Sequence, residues 1–401
     1  WPIGLGEGAR VWVMDQVSKG DMPEAKIDVT FRLPSDSPPQ MPEDIRIDGR
    51  LKLHDVSLTY WPPLPIATGL NADARITESL FEANVTSGAS AGMQVRGGRL
   101  TITGMDKGKG GERTDLEFDL SGPINGLMAI LDRPPLRFAR YLDLPPSELG
   151  GTIRGTLTAK FPPVADLALD DIEIGASGTS HDTHIPKAAF DQDLTAGHFS
   201  FKVDKSALKL DGEAMMAGAP VSLSADVRFT PRAPFRSRFR LQSTVDDKAR
   251  RALGFSDFPF SAEVVSGPVS IDMTATEQLT SGTLIEVAAD LSKSRLALPL
   301  FNWQSPPGEF AAANAQVRVV DGQIRRVDSF RVTAPQLSVA GDAEWTGANG
   351  SSPVVNISEF RHGAGTNLTL VAEPSSAGDY RLSIGGQRLD ARGLIETMAK
   401  P

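Results

Sequence analysis

The chain has no cysteine among its 401 residues. Disulfides, thiolate metal sites and cysteine nucleophiles are therefore excluded. A chain without cysteine fits either a reducing compartment or a bacterial envelope, so this absence restricts the chemistry of the protein more than its location.

Long apolar runs are missing too. No stretch approaches the ~18 consecutive apolar residues that a helix needs to span a bilayer. The chain opens at Trp1, without methionine or a signal-like stretch. We therefore expect it to be a segment of a longer protein whose anchor and targeting sequences lie elsewhere.

Acidic residues outnumber basic ones, 50 to 41. The formal net charge is -9 at pH 7, whereas a nucleic-acid-binding domain carries a basic stripe. The densest basic stretch, "RFTPRAPFRSRFR" at 228–240, alternates arginine with phenylalanine, which predicts a solvated strand face. We expect no nucleic-acid partner.

What the chain does have is glycine, proline and a recurring alternation. With Gly 38, Pro 29 and 40% hydrophobic residues, the composition is typical of a soluble, turn-rich β protein. Residues 25–33, "AKIDVTFRL", alternate apolar and polar side chains, which predicts a strand with one apolar face and one solvated face. Asp-Gly pairs at 211–212 and 321–322 predict turns between such strands.

The summed apolar faces of these strands are larger than the few helices can cover. Either two sheets pack together and hide this surface, or one sheet curls and leaves a long apolar trough. The candidate trough residues are the apolar members of the alternating runs: Ile27, Val29, Phe31, Ile45, Ile47, Leu51, Leu53, Ile153, Leu157, Phe161, Val221, Leu223, Val227, Phe229, Val269, Ile271, Met273, Ile285, Val287 and Leu291.

Helical patterns are short and sparse. They occur at 9–20, at 124–132 with 136–142, at 246–255 and at 389–398, and the later ones each follow a block of strands. This spacing predicts three tandem strand blocks, 1–143, 144–264 and 265–401, that share one continuous surface.

A proline-rich crossover interrupts the alternation in "LHDVSLTYWPPLPIATGLNADARI", residues 53–76. Proline offers no N–H to a β ladder and restrains the residue before it. We therefore expect one strand to end near Tyr60 and Trp61, and the next to begin after Pro65.

The sequence contains few motifs that indicate catalysis or metal binding. Ser90 lies in a G-x-S-x-G pattern, but a strand-like stretch follows it where a nucleophile elbow needs a helix, so a hairpin turn is predicted. His181, Asp182 and His184 could ligate a metal, yet their Gly, Ser and Thr surroundings predict a solvated loop. The glycine-rich stretch 108–113 predicts a hairpin tip. We expect no catalytic residue, no metal and no cofactor.

Several stretches carry a resemblance to a known family. "WPIGLGEGARVWVMDQVSKGDMPEAKIDVTF" and the crossover stretch at 53–76 resemble the central domain of YhdP-type proteins of the AsmA-like superfamily, to which TamB-like proteins are related. The later stretches "VAADLSKSRLALPLFNWQSPPGEF" and "YRLSIGGQRLDARGLIE" resemble recurrent segments of that domain. The similar stretches are spread along the chain from end to end.

The resemblance implies an elongated, curled antiparallel sheet with a taco-like hydrophobic groove. It also implies a periplasmic protein of Gram-negative bacteria that shields phospholipids between the inner and outer membranes. Contact with both membranes would be made by regions outside this segment.

The sequence leaves two other classes of function open. One is a structural or chaperone-like assembly protein of the cell envelope, whose exposed strand edges pair with other strands. The other is a carbohydrate-active enzyme on a β scaffold, which needs a pocket where carboxylates from separate strands converge.

Overall fold

The computed structural model describes residues 14–33, 43–107, 110–137, 146–164, 167–230, 232–345, 352–375 and 379–390. Strands hold 66% of the residues, against a typical 20–25%. The prediction of a mainly β, antiparallel fold with few short helices is therefore confirmed. The two α-helices of the described ranges that exceed one turn are α1, Ile124–Leu131, and α2, Asp247–Ala252.

The chain divides into two compact units. The first comprises residues 1–185 and 196–208, and the second comprises residues 186–195 and 209–401. The division into three strand blocks stays a prediction.

The first unit is a run of long antiparallel strands. Each strand from β1 to β7 pairs antiparallel with the next one along the chain, including β6 and β7, which a longer connection with α1 joins. The strands that lie wholly or mostly in this unit are β1 Val17–Arg32, β2 Glu43–Leu58, β3 Ala67–Thr77, β4 Leu80–Ser90, β5 Met93–Thr103, β6 Arg113–Pro123, β7 Gly150–Phe161, β8 Glu173–Ala189 and β9 Gln192–Asp204.

The second unit repeats this arrangement and adds a small separate sheet. Its main strands are β10 Ala207–Met216, β11 Ala219–Arg228, β12 Ser237–Val245, β14 Val269–Glu277, β15 Thr283–Asp290, β18 Ala312–Val320, β19 Gln323–Ala334, β20 Leu337–Glu344, β21 Val354–His362, β22 Thr366–Pro374 and β23 Tyr380–Arg388. The three-stranded sheet consists of β13 Val265–Ser266, β16 Arg295–Leu298 and β17 Trp303–Ser305.

Most of these connections between strands form where the sequence predicts them. The proline-rich crossover joins β2 to β3 as predicted. Ser90 ends β4, and Ala91 and Gly92, both with positive φ, turn the chain into β5. The G-x-S-x-G pattern is therefore the predicted hairpin turn. The predicted hairpin tip at 108–113 leads from β5 into β6, which begins at Arg113; residues 108 and 109 lie outside the described ranges.

Several local predictions were wrong or lie outside the described residues. Of the predicted helix at 9–20, residues 9–13 lie outside the described ranges, residues 14–16 are helical and residues 17–20 belong to β1. Asp211-Gly212 lies inside β10 rather than in a turn. Residues 181–184 belong to β8 rather than to a loop. The basic stretch 228–240 is only partly strand, because residues 229–236 connect β11 to β12. The predicted helices at 136–142 and 389–398 lie mostly outside the described ranges.

Two glycines allow β7 and β8 to approach closely. Gly155 and Gly178 lie opposite each other in the ladder. A Cβ atom on Gly178 would lie 2.2 Å from the Arg154 carbonyl oxygen and 2.5 Å from Gly155 Cα. Any larger residue at either position would push the strands apart.

Helix α2 is fixed by two side chains. Asp246 caps its N-terminus, since its Oδ1 accepts a hydrogen bond from the Ala249 amide at 2.8 Å. Arg250 is buried and donates to the carbonyls of Val265 and Gly267 at 2.7 and 2.6 Å, and to Asp247 at 2.5 Å. This arginine therefore ties the helix to the segment that leads into β14.

Candidate functional site

Strand register places apolar side chains of the first unit in line across the sheet. Residues directly opposite each other in an antiparallel pair point to the same face. Following these pairs from β1 to β8 yields a row with no polar member: Ala25, Leu51, Ala74, Ala83, Leu100, Leu116, Ala159 and Ile174.

Two further rows flank this one. The first is wholly apolar and reads Leu53, Ala72, Val85, Gly98, Phe118, Leu157 and Ala176. The second has one polar member, Thr114, and reads Ile27, Gly49, Ile76, Phe81, Ile102, Thr114 and Phe161. Alternate residues lie about 6.7 Å apart along a strand. The apolar face of the first unit is thus a band about 13 Å wide between its outer rows.

The second unit has the same construction across ten strands, from β11 to β23. One row reads Leu223, Leu241, Met273, Val287, Ala315, Phe330, Gly341, Ile357, Leu370 and Ile384. Its neighbour reads Ala225, Phe239, Ala275, Ile285, Val317, Val327, Ala343, Val355, Ala372 and Leu382. We call these rows the apolar face of the second unit.

Most large side chains of both faces are half-buried or exposed, and Ile76 is a buried exception. Leu100, Leu116, Leu157, Leu223 and Met273 are all half-buried. The fully buried members of the rows are mainly alanines, which their larger neighbours screen. The largest side chains with under 2% exposure are those of Leu194, Thr366 and Ser294. A sealed core between two layers would bury many leucines and phenylalanines completely. These faces therefore keep contact with solvent.

One rim of the second apolar face is closed. The strand ends at Val245, Val269 and Leu291 pack with Leu296 and Trp303 of the small sheet in one cluster. The Trp303 indole Nε1 donates to the Pro335 carbonyl at 3.0 Å, which fixes the small sheet against the strand ends. We call this cluster the cap. Towards the opposite end of β19 the face is open, and Ile324 there is 47% exposed, whereas Val227 at the corresponding end of β11 is buried.

The first unit has a smaller closure at the corresponding strand ends. Met128 of α1 is buried against Leu149, with Ile124, Leu131 and Ile185 around them. Helix α1 follows β6 directly and Leu149 precedes β7, so the closure covers only the ends of these strands.

The opposite face of each sheet is polar and carries cross-strand ion pairs. In the first unit Lys52 contacts Glu24 at 2.8 Å and Lys160 contacts Asp115 at 3.2 Å. In the second unit the Arg240 guanidinium donates two hydrogen bonds to the Asp272 carboxylate, from Nε at 3.0 Å and from Nη2 at 2.5 Å. The hydrogen bond from Arg240, with a second from Gln242, lowers the pKa of Asp272. These pairs favour solvation of this face and leave the other face for apolar contact.

Most predicted trough residues of the first unit lie on its apolar face. Ile27, Val29, Phe31 and Ile45 are exposed near the β1 edge, and Ile47 is buried. The half-buried members are Leu51, Leu53, Ile153, Leu157 and Phe161.

In the second unit the predicted residues separate into open and closed positions. Leu223, Ile271, Met273, Ile285 and Val287 are half-buried on the apolar face. Val269 and Leu291 belong to the cap, and Val221 and Val227 are buried at the two ends of β11. Phe229 lies just beyond the end of β11.

Sequence reasoning missed several strands of both faces. Leu116, Phe118 and Leu120 of β6 alternate with Asp115 and Glu117, so the signal was present in the alternation. The strands from β18 to β22 show apolar and polar alternation as well, and they too were missed.

A surface depression of ≈ 920 Å³ in the first unit is a candidate enzyme site, because carboxylates from separate strands line it. Its lining includes Asp115, Glu117 and Asp119 of β6 together with Glu173 of β8. Asp115 is engaged by Lys160, and Asp119 accepts a hydrogen bond from the Thr156 hydroxyl at 2.8 Å. Two of these carboxylates therefore serve cross-strand pairing.

Within the described ranges there is no group of three or more His, Asp or Glu side chains placed to hold a metal ion. No helix in the part of the chain that the structure describes is long and apolar enough to cross a membrane.

Ser90, the serine of the G-x-S-x-G pattern, has a structural contact. Its hydroxyl donates a hydrogen bond to the Pro65 carbonyl at 3.2 Å, which connects the hairpin to the proline-rich crossover.

The fold and the two faces define the class of protein: an antiparallel β protein that presents an incompletely covered apolar sheet surface. Comparison of the chain with family models, with characterised proteins and with solved structures finds no match.

Proposed function

We propose that the apolar faces shield the acyl chains of lipids from water, so that the protein acts as part of a lipid-carrying conduit. The observation that carries this proposal is the set of four unbroken apolar rows, whose large side chains are half-buried or exposed. Such a surface offers continuous apolar contact without a closed pocket, and it needs no reactive group.

The energetics support a surface of this kind. Exposing one buried methylene to water costs about 0.8 kcal/mol. A lipid with about 30 methylenes would therefore meet a barrier on the order of 20 kcal/mol in an aqueous gap. Apolar rows that pass from strand to strand replace water along the whole path.

The dimensions of each face also fit acyl chains. Neighbouring strands lie about 4.8 Å apart, so eight strands extend about 34 Å and ten strands about 43 Å. One leaflet of a bilayer has an apolar thickness of about 15 Å, half of a ~30 Å core. An acyl chain could thus lie along either face within its length.

The resemblance to YhdP-type proteins of the AsmA-like superfamily supports a specific setting for this proposal. In that setting the ligands are phospholipids, and the protein works in the periplasm of a Gram-negative bacterium. The inner and outer membranes would be reached through regions outside this segment.

A structural or chaperone-like assembly role in the envelope is the second candidate, and one observation favours it. Strand β23 pairs with β22, and all nine of its residues are exposed. Leu382 and Ile384 on β23 are each 54% exposed. An exposed apolar edge strand is a template for the addition of another strand.

The absence of cysteine permits a direct test. Met273 lies on the apolar face, and the next residue, Thr274, lies opposite Arg240 on the polar face. A single cysteine at either position can carry a polarity-sensitive fluorophore. We expect phospholipid vesicles to shift the emission of the label at position 273 to shorter wavelength and to leave the label at 274 unchanged.

Mass spectrometry of organic extracts provides the second measurement. We expect phospholipid to copurify with the protein when it is isolated without detergent. Equal responses from the two labels, together with an extract free of lipid, would exclude the conduit. The assembly role would then be tested by binding of extended peptides to β23.

A further inference from the structure

Two histidines meet on neighbouring strands of the first unit. His181 of β8 and His198 of β9 are both exposed. Their Nδ1 atoms lie 3.3 Å apart, and their ring centroids are 5.4 Å apart. The Nε2 atom of His181 lies 3.3 Å from the Thr179 hydroxyl.

The backbone sets this pair on the polar face. His181 lies opposite Thr152 of β7, whose neighbour Ile153 belongs to the apolar side. His198 lies between buried Gly197 and Phe199, so the alternation of β9 turns its ring to the solvent. The pair is thus separate from the apolar face, and its chemistry is independent of the lipid proposal.

The distance between the rings fits a shared metal ion. Zinc binds imidazole nitrogen at about 2.0–2.1 Å, with tetrahedral geometry. The two Nδ1 atoms are 3.3 Å apart. If each binds the metal at this bond length, the N–metal–N angle is about 107°, which is close to the tetrahedral value. Two Nδ1 atoms that face each other can otherwise share only one proton.

We propose that His181 and His198 form a two-histidine binding site for a borderline divalent transition metal ion such as Zn²⁺, Cu²⁺ or Ni²⁺. Imidazole suits these ions, whereas Mg²⁺ and Ca²⁺ prefer oxygen ligands. The protein supplies two ligands, and water occupies the remaining positions because both rings are exposed to solvent.

Cu²⁺ is the sharpest probe, since it binds nitrogen sites most tightly in the divalent series. We expect calorimetric titration with CuCl₂ to show binding, with Ni²⁺ weaker and Mg²⁺ without effect. Electron paramagnetic resonance of the Cu²⁺ protein should show two imidazole nitrogens in the equatorial plane.

Variants assign the site. His198→Ala and His181→Gln should each weaken Cu²⁺ binding at least tenfold and reduce the imidazole count to one. His54→Ala removes another exposed histidine of the first unit and should change neither. The circular dichroism of each variant should match that of the parent protein, because both rings lie on the surface. Unchanged affinity in both pair variants, or a spectrum with one nitrogen in the parent protein, would overturn the proposal.

Discussion

At the scale of single residues, the face on which a side chain lies decides what it can do. Leu223 and Ser224 are consecutive residues of β11 on opposite faces. Leu223 is opposite Leu241 in the apolar rows, and Ser224 is opposite Arg240. A carboxylate introduced at each position would therefore meet different surroundings at nearly the same place in the chain.

We predict that Leu223→Asp lowers the lipid content of the purified protein and costs less than about 1.5 kcal/mol of unfolding free energy. A buried, unpaired carboxylate in a sealed core would cost several kcal/mol, but a half-buried one can reach water. Ser224→Asp, beside Arg240, should change neither quantity. Lipid analysis and urea unfolding of both variants measure this. Strong destabilisation by Leu223→Asp would indicate a covered face.

The exposure of single side chains also distinguishes the packed cap from the open rows. Leu291 is 8% exposed within the cap, whereas Leu382 on β23 is 54% exposed. We predict that Leu291→Ala destabilises the second unit by about 2–4 kcal/mol, as large-to-small changes in packed sites do. Leu382→Ala should cost less than about 0.5 kcal/mol. Tryptophan fluorescence during urea unfolding reports both, and equal effects would contradict a packed cap.

At the scale of elements, helix α2 depends on one buried arginine. Arg250 pairs with Asp247 and satisfies two carbonyls, while its neighbour Arg251 is exposed. Removing one member of a buried polar network leaves the others without partners.

We therefore predict that Arg250→Ala costs about 2–4 kcal/mol and loosens the segment between α2 and β14. Arg251→Ala should lie within about 0.5 kcal/mol of the parent protein. Hydrogen exchange at the amides of 247–268, with thermal unfolding, checks both effects. If the amides of 247–268 exchange equally slowly in the two variants, Arg250 does not hold the helix to this segment.

At the scale of the whole molecule, charge is sorted to one face of each sheet, and this sorting has a consequence for pH. Hydrogen bonds lower the pKa of Asp272 through Arg240 and of Glu359 through Ser338. A carboxylate whose pKa is lower in the folded state binds fewer protons there than in the unfolded chain. Its contribution to stability is complete above the unfolded pKa, near 4, and disappears as the pH falls through the folded pKa.

We predict that the protein loses stability as the pH falls below about 4, and that Asp272→Asn makes this loss shallower. Urea unfolding at a series of pH values from 7 to 2.5 measures both slopes. Ser224→Asn, which changes no charge, serves as the control and should keep the parent slope. If the unfolding free energy of Asp272→Asn depends on pH as steeply as that of the parent protein, this ion pair does not contribute to the loss of stability in acid.

The sequence by itself determined the class of fold, because period-two alternation is a local property of each strand. Runs such as "KIDVTF" in β1 and "DLEFDL" in β6 place apolar and polar side chains on opposite faces wherever the strands lie. Proline and glycine chemistry also set the crossover between β2 and β3 and the turn at Asp321-Gly322.

Tertiary structure decided what depends on partners distant in the chain. The Asp-Gly pair at 211–212 extends as strand, since ladder pairing overrides local turn preference. Leu291 and Met273 have similar local patterns, yet only Leu291 is covered, because β16 and β17 return to pack on it. The approach of His198 to His181 likewise depends on how β9 lies beside β8, which no local pattern encodes.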